Sequence, residues 1–196
     1  MSWSKVQICN MALGKAGISQ QIQSLEFSGS TAVPEEARTC LLYWDLAFEA
    51  AARDHDWKCL SKLADISGAI TTAPAFGYAY AYSLPADCLR VLRMEDPDSL
   101  WIRRGRTLET DETDVKIEYL RRTEDTDLFD PHFVEALVTL LAAHLASSIM
   151  TDAGVSISEK LGLWYERVCL PRARFTDSTE SSGQSLESST WLNSRL

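Results

Sequence analysis

The chain has 196 residues, 45% of them hydrophobic and 24% charged, with a formal net charge of −9. That length suits one domain, or one domain with an appendage, and can bury a core without a disulfide or metal staple. The acidic balance excludes a protein whose main work is gripping phosphates, which needs clustered Lys and Arg, though not a surface that DNA slides past.

In chain order, residues 4–16 place Val6, Ile8, Cys9, Ala12, Leu13 and Ala16 near helical spacing, and Gly17 closes that helix. Pro34 fits the first turn of a second helix, with Glu35 and Glu36 at the positive end of its dipole. It runs to about Arg53, with Cys40, Leu41, Trp44, Ala47, Phe48 and Ala51 on one broad apolar face. From Trp57 to about residue 121 the runs shorten, alternate at period two and are separated by Gly, Pro and Asp, which predicts a small antiparallel sheet inserted between helices. Within it, GYAYAYSLPADCLRVLRM reads as two short strands with a corner between them, and Gly105 as a hairpin turn.

Helix returns at DPHFVEALVTLLAAHLASSIM, with Asp130 as N-cap, Pro131 at the first position and Phe133, Leu137, Leu140, Leu141, His144 and Leu145 as the buried stripe. A last helix is predicted from near Ser158, with Leu161, Trp164, Tyr165, Val168 and Cys169 on one side and Pro171 ending or kinking it. Beyond Thr176, TDSTESSGQSLESST has too little apolar content to order itself, and WLNSRL forms an apolar and basic tip. The expected fold is mainly α: a bundle of about four helices with a small inserted antiparallel β region and a flexible C-terminal tail. Its parts are 1–56 and 123–175 (helices), 57–122 (sheet) and 176–196 (tail).

The five cysteines, Cys9, Cys40, Cys59, Cys88 and Cys169, form no CxxC pair and sit among apolar neighbours, as buried thiols in a reducing compartment do. MSWSKVQICNMALGKAG has no charged region followed by an apolar run, so no signal peptide is expected. Phe133 to Met150 is interrupted by Glu135 and His144 and falls short of the ~20 residues of a membrane span. A cytoplasmic-type protein without a membrane partner is the expectation.

Gly14-Lys15 is not a phosphate loop: Cys9 stands where a glycine is needed, Ala16 where a Ser or Thr would hold magnesium, and no strand precedes it. Asp54-His55-Asp56 offers metal-capable groups, but sequence neighbours rarely point at one ion, so a solvated helix end is expected. His132 reads as exposed at a helix start and His144 as a satisfied core histidine. No GxSxG motif or Cys–His pairing marks a nucleophile, and an abundance of carboxylates is no sign of a glycosidase. No enzyme, cofactor or metal site is expected. Two features remain: the aromatic strand with its corner, and the tail tip, whose Trp and Arg suit docking although a frayed terminus is the commoner reading for any chain.

These residues, in this order, carry a resemblance. ICNMALGKAGISQQIQSLE with its Leu-Gly-x-x-x-Ile exit, EEARTCLLYWDLAFEAAARDHDWKCLSKLADI, GYAYAYSLPADCLRVLRM, LWIRRGRTLETDE, VKIEYLRRTEDTDLFDPHFVEALVTLLAAHLA and the ending STWLNSRL together cover nearly the whole chain. The sequence resembles the head-to-tail adaptor proteins of short-tailed bacteriophages, called tail tubular protein A or packaged-DNA stabilisation protein. Pro171 departs from the pattern, since it interrupts a helix that usually runs on through a Leu-x-x-Ala-Arg stretch, here Leu170, Ala173 and Arg174.

The resemblance implies a non-enzymatic virion protein at the head–tail junction, made in the bacterial host cytoplasm. A ring of twelve copies would dock on the portal protein, close the capsid vertex after packaging and offer a platform to the tail nozzle protein. Double-stranded DNA would pass through its channel without specific binding. Helices would form the ring body, the sheet would extend toward the tail side, and the tail would lie along the portal, with Trp191, Leu192, Arg195 and Leu196 as candidate contacts. At −9 per chain such a ring carries on the order of −108, which repels phosphates as a conduit needs. In this setting Pro85 fixes the corner, Asp87 is available to bond nearby backbone amides, and Tyr78, Tyr80 and Tyr82 fill one face as core or subunit contact. Two other classes stay open: the cell-wall hydrolase activity associated with some relatives, and a host cytoplasmic regulatory or DNA-binding interaction module.

Overall fold

The computed structural model describes residues 3–26, 34–150 and 152–179, with only the backbone at position 152. About half of the chain is helical and two small antiparallel sheets complete it.

Helix α1 (Lys5–Ala16) starts on a capping box: Ser4 Oγ accepts from the Gln7 amide at 3.1 Å and Gln7 Oε1 from the Ser4 amide at 2.9 Å. It ends where Gly17 turns left-handed, φ 85°, so that Ile18 N–H reaches back to the Leu13 carbonyl at 2.9 Å. Asn10 then grips the following loop from both sides, accepting from the Ile22 amide and donating to its carbonyl. Helix α2 (Glu35–Asp54) buries Ala37, Cys40, Trp44, Ala47, Phe48, Ala51 and Ala52.

Helix α3 (Pro131–Ile149) begins as expected, with Asp130 accepting from the His132 amide and Pro131 in the first turn. Burial is wider than one stripe, because α1, α2 and α4 (Asp152–Trp164) all pack on it. Ala136, Ala142 and Ala146 are as buried as Phe133, Leu137, Leu141 and Leu145, whereas Leu140 and His144 are only half-buried. By length and composition α3 could cross a membrane, but 61% of it is buried inside this protein. Phe133 anchors an aromatic cluster, with Phe48, Phe129 and Trp57 rings 5.6, 5.0 and 5.2 Å away and each nearly perpendicular to it. Trp57 satisfies its indole N–H on the Ala51 carbonyl at 2.7 Å.

The last helical stretch differs from expectation in its start, its passage through Pro171, its end and its buried side. It starts at Asp152, six residues before Ser158, and its close approach to α3 is set by Gly154, where a Cβ would lie 2.1 Å from the Ala146 carbonyl oxygen. Pro171 neither ends nor sharply breaks it. The π-turn Tyr165–Cys169 widens the ladder just ahead, with Leu170 N–H bonding the Tyr165 carbonyl, and α5 (Leu170–Thr179) carries the proline onward. A proline has no N–H to give and its ring crowds the preceding turn, so a π segment upstream absorbs the mismatch. Helix therefore continues past Thr176, and Trp164, expected inside, is exposed, whereas Tyr165, Cys169, Leu170 and Ala173 are buried and Ile157 and Leu161 pack against the core.

The inserted region is two three-stranded sheets, where one was expected. Strands β1 (Ser61–Asp65), β6 (Lys116–Arg121) and β3 (Cys88–Met94) form one in the order β1-β6-β3; β2 (Tyr80–Ser83), β5 (Thr107–Thr110) and β4 (Trp101–Arg104) form the other in the order β2-β5-β4. Gly105, φ 58°, makes the β4–β5 hairpin turn. Ile66, Tyr82, Leu84, Cys88, Val91, Met94, Leu108, Val115, Ile117 and Tyr119 form a second core shared by both sheets. The β1-β6-β3 sheet also faces the helices. Leu120 joins the helical core, and the residues left over at the two register shifts of β3, Leu89 and Leu92, pack against it.

All five cysteines are free thiols, four buried and Cys59 half-buried. Burial pushes the Cys59 thiol up to about 11, and a hydrogen bond with Cys40 together with burial pushes Cys9 up. These thiols are packing groups.

Candidate functional site

The stretch around Pro85 is the crossing between the two sheets. Strand β2 ends at Ser83 in one sheet, and β3 begins at Cys88 in the other. The intervening turn closes with Cys88 N–H on the Pro85 carbonyl at 3.0 Å. The β4–β5 hairpin clamps it from outside: Arg106 donates to the Pro85 carbonyl at 2.8 Å, Leu84 N–H to the Arg106 carbonyl at 2.9 Å, and Arg103 to the Leu89 carbonyl at 2.6 Å.

Asp87 works differently from its expected role. Its carboxylate accepts from the Tyr119 hydroxyl at 3.0 Å and from Lys62 Nζ at 3.1 Å, two side chains rather than backbone amides, while its carbonyl takes the Arg122 amide at 2.7 Å. Burial disfavours the charge, but the bonds from Lys62 and Tyr119 outweigh it and hold the carboxyl below its ordinary value. Burial and the adjacent carboxylate push the Tyr119 phenol up. Of the three tyrosines, Tyr82 is fully buried in the second core, its hydroxyl donating to the Glu112 carbonyl at 2.8 Å. Tyr80, half-buried, lies 6.4 Å from it ring to ring, and half-buried Tyr78 precedes the strand. Trp191, Leu192, Arg195 and Leu196 lie outside the described residues.

The other sequence candidates find structural work. Asp54 and Asp56 are exposed, as expected of a solvated helix end, and His55 is half-buried, but each of the three also ties the end of α2 to a different element. Asp54 accepts from the Tyr165 hydroxyl at 2.7 Å, His55 pairs with Asp177 of α5 at 2.5 Å, and Asp56 pairs with Arg90 of β3. His132 is half-buried against Thr176 rather than exposed. His144 stacks on Tyr43 at 5.3 Å, and burial lowers its pKa. Lys15 donates to the buried Thr139 hydroxyl at 2.7 Å, which joins α1 to α3. Among the described residues, no group of three or more His, Cys, Asp or Glu is placed to hold a metal ion.

Strand pairing gathers a feature that the linear pattern hides. β1 and β6 pair Asp65 with Lys116, and Glu95 N–H bonds the Lys116 carbonyl at 2.9 Å, so the ends of β1 and β3 and the start of β6 meet at the end of the sheet away from the helices. Glu95, Asp96, Glu112 and Asp114 line one small cleft with Lys116, and Asp65, Asp98 and Asp111 adjoin it through the β1–β6 pairing, the Asp96 turn and the chain next to Glu112. Arg93, the nearby arginine, is taken up by Glu118. Seven carboxylates against one lysine leave a net −6 there, two-thirds of the whole chain's −9. Local bonds hold several in place: Ser67 donates to Asp65 and Asp114, Asp96 accepts from the Asp98 amide, and Asp111 from the Ala79 amide. The hydroxyl and amide of Ser67 together keep the Asp65 carboxyl below its ordinary value. Leu100, 75% exposed, sits beside this pole, and Phe76, in the loop leading to β2, is 81% exposed.

At the opposite end the same sheet is anchored on the body. Arg90 donates to the Arg53 carbonyl at 2.6 Å, and Arg122, just after β6, holds Asp45 and Glu49 of α2 at 2.6 and 3.1 Å. The molecule is therefore polar along its length: a helical body, a sheet region hydrogen-bonded at the Pro85 crossing, and a strongly acidic far end. No protein-family model matches the chain, and no curated protein matches it in sequence.

Proposed function

We propose that this chain is a head-to-tail adaptor of a short-tailed phage or prophage, a non-enzymatic connector whose ring of about twelve copies docks on the portal and carries the tail nozzle. The observation that carries the reading is the acidic pole at the far end of a sheet module whose other end is bonded into the helices. A connector needs two unlike ends held at one angle, and here the crossing at Pro85 and the Arg90 and Arg122 anchors hold that angle.

In this reading the helices form the ring body as a bundle, and the sheets point toward the tail side. Where the acidic poles face the channel, they repel DNA phosphates over about a Debye length, ~8 Å at physiological salt, so the duplex slides without being held. The segment with Trp191, Leu192, Arg195 and Leu196 docks along the portal through an aromatic and arginine anchor.

The test is to mix the purified protein with its cognate portal ring and measure the mass of the sedimenting complex. An added mass of about twelve chains is the expected result. No association, under salt where the portal stays assembled, would overturn the reading, and a zymogram for cell-wall hydrolysis would then come first.

A further inference from the structure

Two helical faces of the body are apolar, exposed and chemically unlike. On α2, Leu42 and Leu46, one turn apart, are 69% and 55% exposed. Beside them Asp45 and Glu49, together with Glu124, share the single guanidinium of Arg122, so that cluster keeps excess negative charge even with Lys5 near Glu124. On the π-interrupted helix, Trp164 and Phe175 are 44% and 72% exposed. Between Lys160 and Phe175, Lys160, Arg167, Arg172 and Arg174 are exposed against a single carboxylate, Glu166, in a chain that is acidic overall. α2 and α4 each pack on α3 rather than on one another, so the two faces look outward from different flanks of the body.

We infer that these faces are the two halves of one head-to-tail contact: the leucine and carboxylate face of α2 on one copy receives the Trp164 and Phe175 face of a second copy. The inference rests on the ring reading and names the surfaces that would build it. Charge decides the pairing. Joining like faces across a two-fold axis sets the arginine-rich helix against its own copy, or the Asp45–Glu49 cluster against its own. Joining unlike faces brings arginines to carboxylates around an apolar centre, as interface cores and rims are arranged. A heterologous contact of this kind leaves each copy with a free face for the next, so it propagates, and it closes into a ring when the rotation permits.

The test uses Leu42→Cys and Trp164→Cys, both at exposed positions, with a short bismaleimide linker on the concentrated protein. Untreated wild type, with its four buried and one half-buried thiols, serves as the control. Mixing the two single variants should give a cross-linked pair that neither gives alone. The double variant should give a ladder of rising size that fades in Arg167→Glu/Arg174→Glu and at high salt. Self-linking of either single variant as strong as the mixture, or no ladder, overturns the pairing. Twelve chains on the portal with no ladder would sink this face assignment and leave the adaptor reading standing; a ladder from a protein that ignores the portal would do the reverse.

Discussion

Gly154→Ala tests the geometry on which the helical body depends. A β-carbon at position 154 would sit 2.1 Å from the Ala146 carbonyl oxygen and 2.9 Å from the Met150 β-carbon, whereas ordinary contact begins near 3.4 Å, so α4 would have to retreat from α3 by about 1.3 Å. The obstacle is backbone and has no rotamer to change. Overpacking of this kind costs about 1–3 kcal/mol, and a clash with a fixed carbonyl belongs at the upper end. Replacing a mid-helix glycine by alanine returns ~1 kcal/mol of helix propensity, which leaves a net loss of about 2 kcal/mol. Gly162 lies in the same helix with nothing within 4 Å of its would-be β-carbon, so Gly162→Ala should keep the propensity gain alone. Urea unfolding followed by far-UV circular dichroism should therefore move the two midpoints in opposite directions with unchanged slope. In a thermal melt the loss corresponds to about 4–8 °C for a chain of this size. If Gly154→Ala is neutral, or stabilises as Gly162→Ala does, the close crossing of α3 and α4 is wrong.

Other expectations follow from single contacts. Tyr82→Phe removes the bond to the Glu112 carbonyl from the second core and should cost ~1 kcal/mol in urea melts, with no change in the far-UV spectrum. Asp87→Ala leaves the partly buried Tyr119 hydroxyl without its carboxylate and should cost about 1–2 kcal/mol, while Asp87→Asn should recover most of that loss. Because the Asp87 carboxyl is held below its ordinary 3.8, its contribution is full above that pH and fades as acid drives the pH through the lowered folded value; Asp87→Asn should flatten that part of the acid titration of stability. His144 gives the mirrored case on the basic side of the carboxylates. Burial lowers its pKa below 6.5, so the unfolded chain takes up the proton first and stability falls as pH drops through that value. His144→Phe, which keeps a ring against Tyr43, should reduce the difference in urea midpoint between about pH 7.5 and pH 5.5.

The candidate surfaces were only partly visible in the linear pattern. Tyr82, Pro85 and Asp87 stand out from their spacing, yet the partners that give them meaning, Glu112, Arg106, Tyr119 and Lys62, are 21 to 32 residues away in the chain. The Asp54-His55-Asp56 run is legible as an exposed helix end, but not its ties, because helix periodicity says nothing of α5, whose Asp177 lies 122 residues beyond His55. The Leu42 and Trp164 faces carry the residues of a core stripe, and only burial distinguishes Trp164 from Tyr165 beside it: 44% exposed against 4%.

By itself the sequence determined the local elements: where α1, α2 and α3 begin, the glycines that close α1 and the β4–β5 hairpin, and the change from helical to alternating pattern between residues 57 and 121. Caps, proline positions and period are short-range physics, settled within a turn or two of chain. Tertiary structure alone decided that the alternating region is two sheets rather than one, that Pro85 marks the crossing between them, and that a π-turn carries the last helix through Pro171. It also decided where the charge lies. Asp65, the 95–98 run and the 111–114 run are three ordinary acidic turns until antiparallel pairing of β1, β6 and β3 brings them to one end. Alternation tells each strand which residues share a face, but many strand partners satisfy it equally, and the choice among them is made by the long-range burial of the two cores.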